Sequence, residues 1–437
     1  MAFKLKGIHV PHSKNTANSS PVRMTDIKTV TLPTVMHIGA PAVPVVKSGD
    51  KVYVGTLVAE QSGFVSSPVY SSVSGTVKSV ADILLSNGSK APAIVIESDG
   101  EMQPDPQITA PKVESLEDLS NALKQSGIVG LGGAGFPTYV KFGTAEKPLN
   151  IEQLVINGAE CEPYITSDSV TMVENKDDIA YALEMLTKYF AIKNVVIGIE
   201  KNKPEAIKSM QSIELENAEV SVKVLPSVYP QGGEKVLVYN TTGKVIPMGK
   251  LPIDVGCVVC NSTTVATIGK YLKTGMPLIE KCVTVDGGAV SNPQNVIVPI
   301  GTPLKDVFEF CGGFKSEPKK VLYGGPMMGI SVPNLDVPII KNTNAILALD
   351  EKQATPQKTT ACIKCGSCAN NCPFGIDPTR IASALKQDDC EALQEAGAEL
   401  CMECGCCSFV CPAKRPIVQN NKLAKAALRE YKMKEKK

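Results

Sequence analysis

Hydrophobic and polar positions divide this chain into stretches of different periodicity. Between residues 31 and about 105, short runs of alternating apolar and polar residues, separated by Gly, Pro and Ser, predict the strands of a small β-sandwich. From 111 to 275, helical spacings alternate with buried strands, which predicts an α/β layer made of crossover units. Residues 276 to about 330 again have the pattern of a compact β-rich fold. The 437 residues are therefore expected to form several domains.

The α/β stretch begins with a capped helix. Ser115 has the position of an N-cap, Asp118 follows three residues later, and Leu116, Leu119 and Leu123 share one face. The elements predicted after this helix are, in order, a strand at 154–157, a helix at 178–190, a strand at 194–199, a helix at 204–213, a strand at 220–225 and a helix that begins near Lys235.

Composition narrows the classes of function. The 45 basic and 44 acidic residues give a formal net charge of +1, and Trp is absent, so no nucleic-acid partner is indicated. The longest apolar runs are far shorter than the roughly 20 residues that span a bilayer. The first six residues lack a signal-peptide pattern, so we expect reduced cysteines in a soluble or peripheral protein.

Ten of the 15 cysteines fall between residues 362 and 411, which indicates metal binding rather than a disulfide framework. Two runs share the spacing Cys-x2-Cys-x2-Cys-x3-Cys-Pro, offset by 39 residues. This spacing is typical of ferredoxins with two 4Fe-4S clusters, in which the fourth cysteine of each run binds the other cluster. The predicted ligand sets are Cys362, Cys365, Cys368 and Cys411 for the first cluster, and Cys401, Cys404, Cys407 and Cys372 for the second.

A zinc site is the alternative, but it would leave the third cysteine of each run and both Cys-Pro steps unexplained. Cys406 breaks the spacing and is expected to pack or hydrogen-bond near a cluster, and Cys390 is expected at a surface or helix position. Helical spacing over 378–393 favours a helical ferredoxin. The tail after Cys411 holds nine Lys or Arg and two acids, and either docks on an acidic partner or anionic surface or is a solvated helix end.

A glycine-rich loop provides the second candidate site. Gly130, Gly132 and Gly135 match the dinucleotide pattern G-x-G-x-x-G. That pattern should follow a strand, whereas a helix precedes it here, so a Rossmann fold is disfavoured. The glycines still indicate close approach of the backbone to a planar or phosphorylated ligand. Glu160 and Glu162 follow a buried strand, where carboxylates commonly face a ligand crevice; a solvated turn is the alternative.

These motifs resemble two related families. Gly130 to Pro137 with Lys141 resembles the flavin loop of the NADH-oxidising, FMN-binding subunit of respiratory complex I, and 157–163 resembles its acidic loop. The order of motifs along the whole chain is similar to that of the RnfC subunits of the Rnf ion-pumping ferredoxin:NAD oxidoreductases. The motifs are Gly7-Ile-His9, His37 to Pro41, the flavin loop, Tyr229 to Lys235, Gly324 to Met328 and the two cysteine runs.

The resemblance implies a set of cofactor contacts. NADH would stack on the flavin near Phe136 and meet Glu160 and Glu162. A flavin phosphate suits amide groups and a cation, and ribityl hydroxyls suit Asn and Thr. Complex I carries Arg where this chain has Leu131, so one phosphate or nucleotide contact differs. The residues implied to hold FMN are Gly130, Gly132, Gly133, Gly135, Lys141, Asn157, Glu234, Asn261 and Thr264.

The resemblance also implies a multidomain plan of α/β and α+β classes. No Lys lies between Pro68 and Gly75, where lipoyl domains carry their cofactor, so a docking or structural role is expected there. The β-grasp domain is expected to pack rather than bind a ligand. The expected units are an N-terminal extension (1–30), a lipoyl-like barrel-sandwich hybrid (31–110), an FMN/NADH-binding α/β domain (111–275), an SLBB β-grasp domain (276–335), a linker (336–352) and a helical ferredoxin-type domain with two 4Fe-4S clusters and the basic tail (353–437).

A member of this family is expected to be a peripheral subunit at the cytoplasmic face of the cell membrane. It would transfer electrons between NAD(H) and 4Fe-4S clusters through FMN. Its partners would be a ferredoxin-like iron–sulfur subunit and membrane-spanning subunits that translocate ions. Two alternatives stay open: a soluble carrier that feeds an amino-acid reductase such as proline reductase, and a non-catalytic iron–sulfur adaptor with an empty flavin loop.

Overall fold

The computed structural model describes residues 7–86, 88–144 and 147–435. The first six residues, which lack a signal-peptide pattern, and the last two residues of the basic tail lie outside the described residues. Within the described ranges, no helix has the length and apolar character needed to cross a bilayer.

The first 110 residues contain two small antiparallel sheets. One has the order β2-β8-β7-β4 and the other β3-β5-β6. Alternate side chains of β2 and β8, such as Leu32 and Ile94, are fully buried, as the alternation predicts. The strands are Val22–Arg23 (β1), Thr29–Pro33 (β2), Val43–Pro44 (β3), Lys51–Val52 (β4), Leu57–Glu60 (β5), Val69–Tyr70 (β6), Gly75–Leu84 (β7) and Lys90–Ser98 (β8).

The next unit is an α/β layer. Its elements are Leu116–Gln125 (α1), Thr138–Phe142 (α2), Gly143–Thr144 (β9), Lys147–Pro148 (β10), Gln153–Gly158 (β11), Ser167–Glu174 (α3), Lys176–Tyr189 (α4), Asn194–Glu200 (β12), Pro204–Gln211 (α5), Glu219–Leu225 (β13), Glu234–Thr242 (α6), a 3-10 turn at Pro252–Val255, Cys257–Asn261 (β14) and Ser262–Thr274 (α7). The Ser115 side chain accepts from the Asp118 amide at 3.1 Å, which confirms the predicted cap. The parallel sheet has the order β13-β12-β11-β14, so β11 and β14 end side by side at one edge.

The third unit is a six-stranded sheet of order β1-β16-β15-β19-β17-β18. Its elements are Glu280–Asp286 (β15), Gln294–Pro299 (β16), Leu304–Phe310 (α8), Lys320–Tyr323 (β17), Ile330–Ser331 (β18), Ala345–Leu349 (β19) and Glu351–Ala354 (α9). The segment 336–352 therefore differs from the expected linker. Its strand β19 is entirely buried between β15 and β17, because a five-residue apolar run in a sheet interior needs no alternation.

The C-terminal unit, residues 355–435, contains helices and loops and no strand, as a helical ferredoxin requires. Its elements are Ser367–Asn370 (α10), Pro378–Lys386 (α11), Cys390–Glu395 (α12), a 3-10 turn at Ala398–Leu400, Cys406–Phe409 (α13) and Ile417–Glu435 (α14). The prediction of one continuous helix over 378–393 is wrong, because two helices, α11 and α12, cover this segment. Asp388 has a positive φ of 52°, and Asp389 caps a new helix by accepting from the Ala392 amide at 2.9 Å.

Candidate flavin cavity and cysteine module

A cavity of about 710 Å³ opens where β11 and β14 end. The cavity is lined by eleven of the twelve residues predicted to contact FMN or NADH, which are Gly130, Gly132, Gly133, Gly135, Phe136, Lys141, Asn157, Glu160, Glu162, Glu234 and Asn261. The twelfth, Thr264, lies beneath the glycine loop, where its Oγ1 accepts from the Leu131 amide at 3.0 Å. Residues from separate segments of the chain thus line one space.

The glycine loop offers free amide groups at this cavity. The Gly130 amide donates to the Phe136 carbonyl at 2.8 Å. Within the described part of the chain, the amides of residues 132–136 have no protein acceptor. A Cβ on Gly132 would lie 2.4 Å from Asn261 Nδ2, whereas one on Gly133 would meet nothing within 4 Å. Successive free amides in a loop that lines a cavity fit the phosphate of FMN.

Polar side chains form another wall of the cavity. Lys141 Nζ donates to the Val259 carbonyl at 2.7 Å and lies 3.4 Å from Glu234 Oε2, so one cation and one carboxylate are held together. Asn157, at the end of β11, donates from Nδ2 to the Gly232 carbonyl at 2.9 Å. These groups provide the donors and acceptors that ribityl hydroxyls need.

Glu160 and Glu162 are held inside the protein and do not belong to a solvated turn. The Glu160 carboxylate accepts from the Asp168 amide at 2.7 Å, in the first turn of α3. The Glu162 carboxylate accepts from the amides of Met327 and Met328 at 3.0 and 2.8 Å. Burial raises the pKa of Glu162 to about 7, although the two amides oppose this rise. Both carboxylates have lone pairs left for a ligand.

Two buried residues at this site were missed by sequence reasoning. Asp168 lines the cavity and accepts from Asn261 Nδ2 at 2.7 Å and from Thr263 Oγ1 at 2.6 Å; burial and then the neighbouring Glu160 raise its pKa. Lys281 lies on β15, and its Nζ donates to the Leu131 carbonyl. A lysine at an inward position of an alternating strand is a local indication for Lys281, whereas no pattern near Asp168 marks it.

The two cysteine runs differ in exposure. Cys362 and Cys365 are exposed, whereas Cys404 and Cys407 are buried. Cys372 lines a small cavity together with the second run; the cysteines that share this cavity are Cys372, Cys401, Cys404, Cys406 and Cys407. Cys368 and Cys411 of the first predicted set lie in one group of buried apolar residues, which also contains Cys407 of the second set. Among the described residues, no three His, Cys, Asp or Glu side chains are arranged around a metal position, so both ligand sets stay predictions.

The flavin cavity and the cysteine module share a boundary. Met402 lines both the flavin cavity and the small cysteine-lined cavity. It packs so closely on Gly233 that a Cβ there would lie 2.4 Å from its methyl carbon. Tyr229 lines the flavin cavity and donates from its hydroxyl to the Cys404 carbonyl at 2.7 Å. Cys406, buried beside them, contacts the Tyr229 carbonyl at 3.9 Å. The second run therefore borders the flavin cavity.

Comparison with known families confirms the predicted fold. Residues 123–270 match the Nuo51 FMN-binding domain, residues 2–101 the RnfC barrel-sandwich hybrid domain and residues 282–331 the SLBB domain. A chain of an air-oxidised NAD+-reducing nickel–iron hydrogenase shares the fold with a TM-score of 0.51 and 17% identity, over 73% of this chain and 64% of that chain. This chain thus spans less than two thirds of that structure. The fold and the cavity define a protein with an FMN-binding domain of the complex I type.

Curated relatives show the family. The C subunit of the "Proton-translocating ferredoxin:NAD(+) oxidoreductase complex" of Clostridium ljungdahlii is 40% identical, over 90% of this chain and 86% of the relative. Its "Na(+)-translocating" counterpart from Acetobacterium woodii is 40% identical over 88% of each chain. The C subunit of the "Ion-translocating oxidoreductase complex" of Rhodobacter capsulatus is 37% identical over 98% of this chain and 84% of the relative. The chain belongs to the RnfC family of ion-translocating oxidoreductase complexes.

Proposed function

We propose that this chain is the peripheral RnfC subunit of an Rnf-type complex and transfers electrons between NAD(H) and one-electron carriers. FMN would occupy the cavity at the edge of the parallel sheet, and two 4Fe-4S clusters would occupy the cysteine module. The observation that carries the proposal is the shared boundary, where Met402 lines both sites. When bound, FMN supplies the conversion between hydride transfer and single-electron transfer.

The residues of the cavity bind and orient the ligands in this proposal. The free amides of residues 132–136 hold the flavin phosphate, and Lys141 adds a positive charge on the cavity wall. Phe136 is half-buried and lines the cavity, so its ring offers a face for the nicotinamide. Glu160 and Glu162, held by backbone amides, accept hydrogen bonds from the hydroxyls of the nicotinamide ribose.

The two cysteine runs have different roles in this proposal. The second run borders the cavity, so a cluster held by its cysteines would lie beside the flavin site and could exchange electrons with it. Cys362 and Cys365 of the first run are exposed, so a cluster held there would be accessible to a partner iron–sulfur protein. We place the chain at the cytoplasmic face of the membrane, where NAD(H) is available, and assign ion translocation to membrane-spanning partner subunits.

Flavin content and NADH oxidation test the proposal. The full chain is purified, its clusters are reconstituted, and we expect extractable FMN and NADH-dependent reduction of ferricyanide. Lys141→Met should weaken FMN binding because it removes a cation from the cavity wall, whereas Lys208→Met, at an exposed position of α5, should not. Absence of FMN together with absence of NADH oxidation would refute the proposal that the chain is an enzyme. The non-catalytic iron–sulfur adaptor would then be the hypothesis that is left. Co-purification with membrane-spanning subunits separates the complex from a soluble carrier.

A further inference from the structure

Three carbonyl groups of the glycine loop are held from outside the flavin domain. The Leu131 carbonyl accepts from Lys281 Nζ, and the Gly133 carbonyl accepts from Asn342 Nδ2 at 2.7 Å. The Gly135 carbonyl accepts from the Ile38 amide at 3.1 Å. Lys281 and Asn342 belong to the β-rich unit that follows the flavin domain, and Ile38 belongs to the barrel-sandwich unit. Alternate carbonyls of the loop are thus fixed by other domains.

Fixing a carbonyl also fixes the amide on the other side of the same peptide bond. The peptide unit is planar and trans, so the C=O of one residue and the N–H of the next point in opposite directions. The bonds to Leu131 and Gly133 therefore determine the directions of the amides of Gly132 and Ala134. These two residues line the cavity, and their amides have no protein acceptor among the described residues.

Lys281 is suited to hold one orientation of this loop. It borders a different cavity, of about 120 Å³, so its ammonium group approaches the loop from outside the flavin cavity. Its side chain is almost completely buried, and Asp168 is the carboxylate whose charge acts most strongly on it. A buried ammonium group that lost the Leu131 carbonyl would lose a charge-assisted hydrogen bond.

Asn342 is held in place by the residue before it. Lys341 is completely buried, and its Nζ donates to Ser67 Oγ at 2.9 Å, to the Pro68 carbonyl at 2.6 Å and to the Gly127 carbonyl at 2.8 Å. These three bonds tie the segment to both the barrel-sandwich unit and the flavin domain. Asn342 therefore meets the Gly133 carbonyl from a fixed backbone position.

We propose that Lys281 and Asn342 are positioning residues for the phosphate of FMN. By holding the carbonyls of Leu131 and Gly133, they direct the amides of Gly132 and Ala134 toward the phosphate. The β-grasp domain then has a task beyond packing, since the preorganisation of the flavin site depends on it. This inference rests on the proposed binding of FMN.

The test compares FMN with riboflavin, which lacks the phosphate. The deflavinated full chain and the variants Lys281→Met and Asn342→Ala are titrated with each ligand by flavin fluorescence. Lys270→Met is the matched control, because Lys270 lies nearby in a half-exposed ion pair with Glu280 at 2.6 Å. We expect Lys281→Met and Asn342→Ala each to raise the FMN dissociation constant roughly tenfold and to change the riboflavin dissociation constant less than about threefold. Lys270→Met should leave both dissociation constants unchanged.

The outcomes separate this inference from the proposed function. Equal weakening of FMN and riboflavin binding, or unchanged FMN binding, would overturn the positioning role. If the wild-type chain bound no FMN, the proposed function itself would fail. Asn342 is only partly buried, so its variant remains informative if Lys281→Met does not fold.

Discussion

Replacing Asn421 by Leu should lower the reduction potential of the second cluster and leave the first unchanged. Asn421 lies on α14 with 2% of its surface exposed, and its Nδ2 donates to Cys401 Sγ at 3.3 Å. It also lines the small cavity that holds the predicted second ligand set. A hydrogen bond to a cluster sulfur stabilises the reduced, more negative state more than the oxidised state, so it raises the potential.

The size of the shift follows from the strength of that single bond. A hydrogen bond of this kind contributes about 1 kcal/mol. For a one-electron couple a tenfold change in equilibrium constant is about 59 mV, so loss of the bond lowers the potential by at most roughly 40 mV, the value reached if the bond acts on the reduced state alone. Leu keeps the branch of Asn at Cγ with larger terminal groups, and Asn421 Oδ1 has no partner among the described residues, so the substitution breaks no second hydrogen bond.

Redox titration followed by electron paramagnetic resonance measures both clusters in one sample. Asn420→Leu is the matched control, because Asn420 is adjacent and only partly buried. We expect the potential of one cluster to fall in Asn421→Leu and both potentials to stay unchanged in the control. A rise in potential, an equal shift in both clusters, or the same shift in the control would refute the reasoning.

Three other predictions follow from the same structure. Cys372→Ala should remove the signal of the cluster held mainly by the second run, because Cys372 lines that cavity; selective loss of the other signal would contradict the predicted ligand sets. Tyr229→Phe leaves the buried Cys404 carbonyl without its donor and should lower stability by about 1–2 kcal/mol in chemical denaturation, with FMN content retained. An unchanged denaturation midpoint would argue against that contact. Burial raises the pKa of Glu162 from 4.5 to about 7, so the folded chain binds the extra proton and its stability falls as the pH rises through this window, by up to about 3 kcal/mol. Glu162→Gln should flatten the pH profile of the unfolding temperature between pH 5 and 7, and an unaltered profile would show that another group controls it.

Patterns that involve neighbouring residues could be predicted from the sequence. The cap of α1 at Ser115, the strands β11, β12 and β13 and the glycine loop each depend on residues within one turn or one strand. The same holds for the cysteine runs, whose spacing predicts that Cys372 completes the second ligand set; Cys372 lines the small cavity beside the second run, and the ligand set itself stays a prediction. Where a competing local interaction existed, prediction was less accurate: Asp388 and Asp389 divide the helix expected at 378–393.

Only the tertiary structure showed how the flavin loop is held. Lys281 and Asn342 contact loop residues that are 150 and 209 positions away in the chain, and no motif surrounds either residue. The strand β19, expected to be part of a linker, owes its place to pairing with β15 and β17. The sequence by itself therefore determined which segments carry the chemistry, because spacing along the backbone is a local property. Packing between distant segments decided which side chains hold the glycine loop in position, because such contacts exist only once the domains have folded against one another.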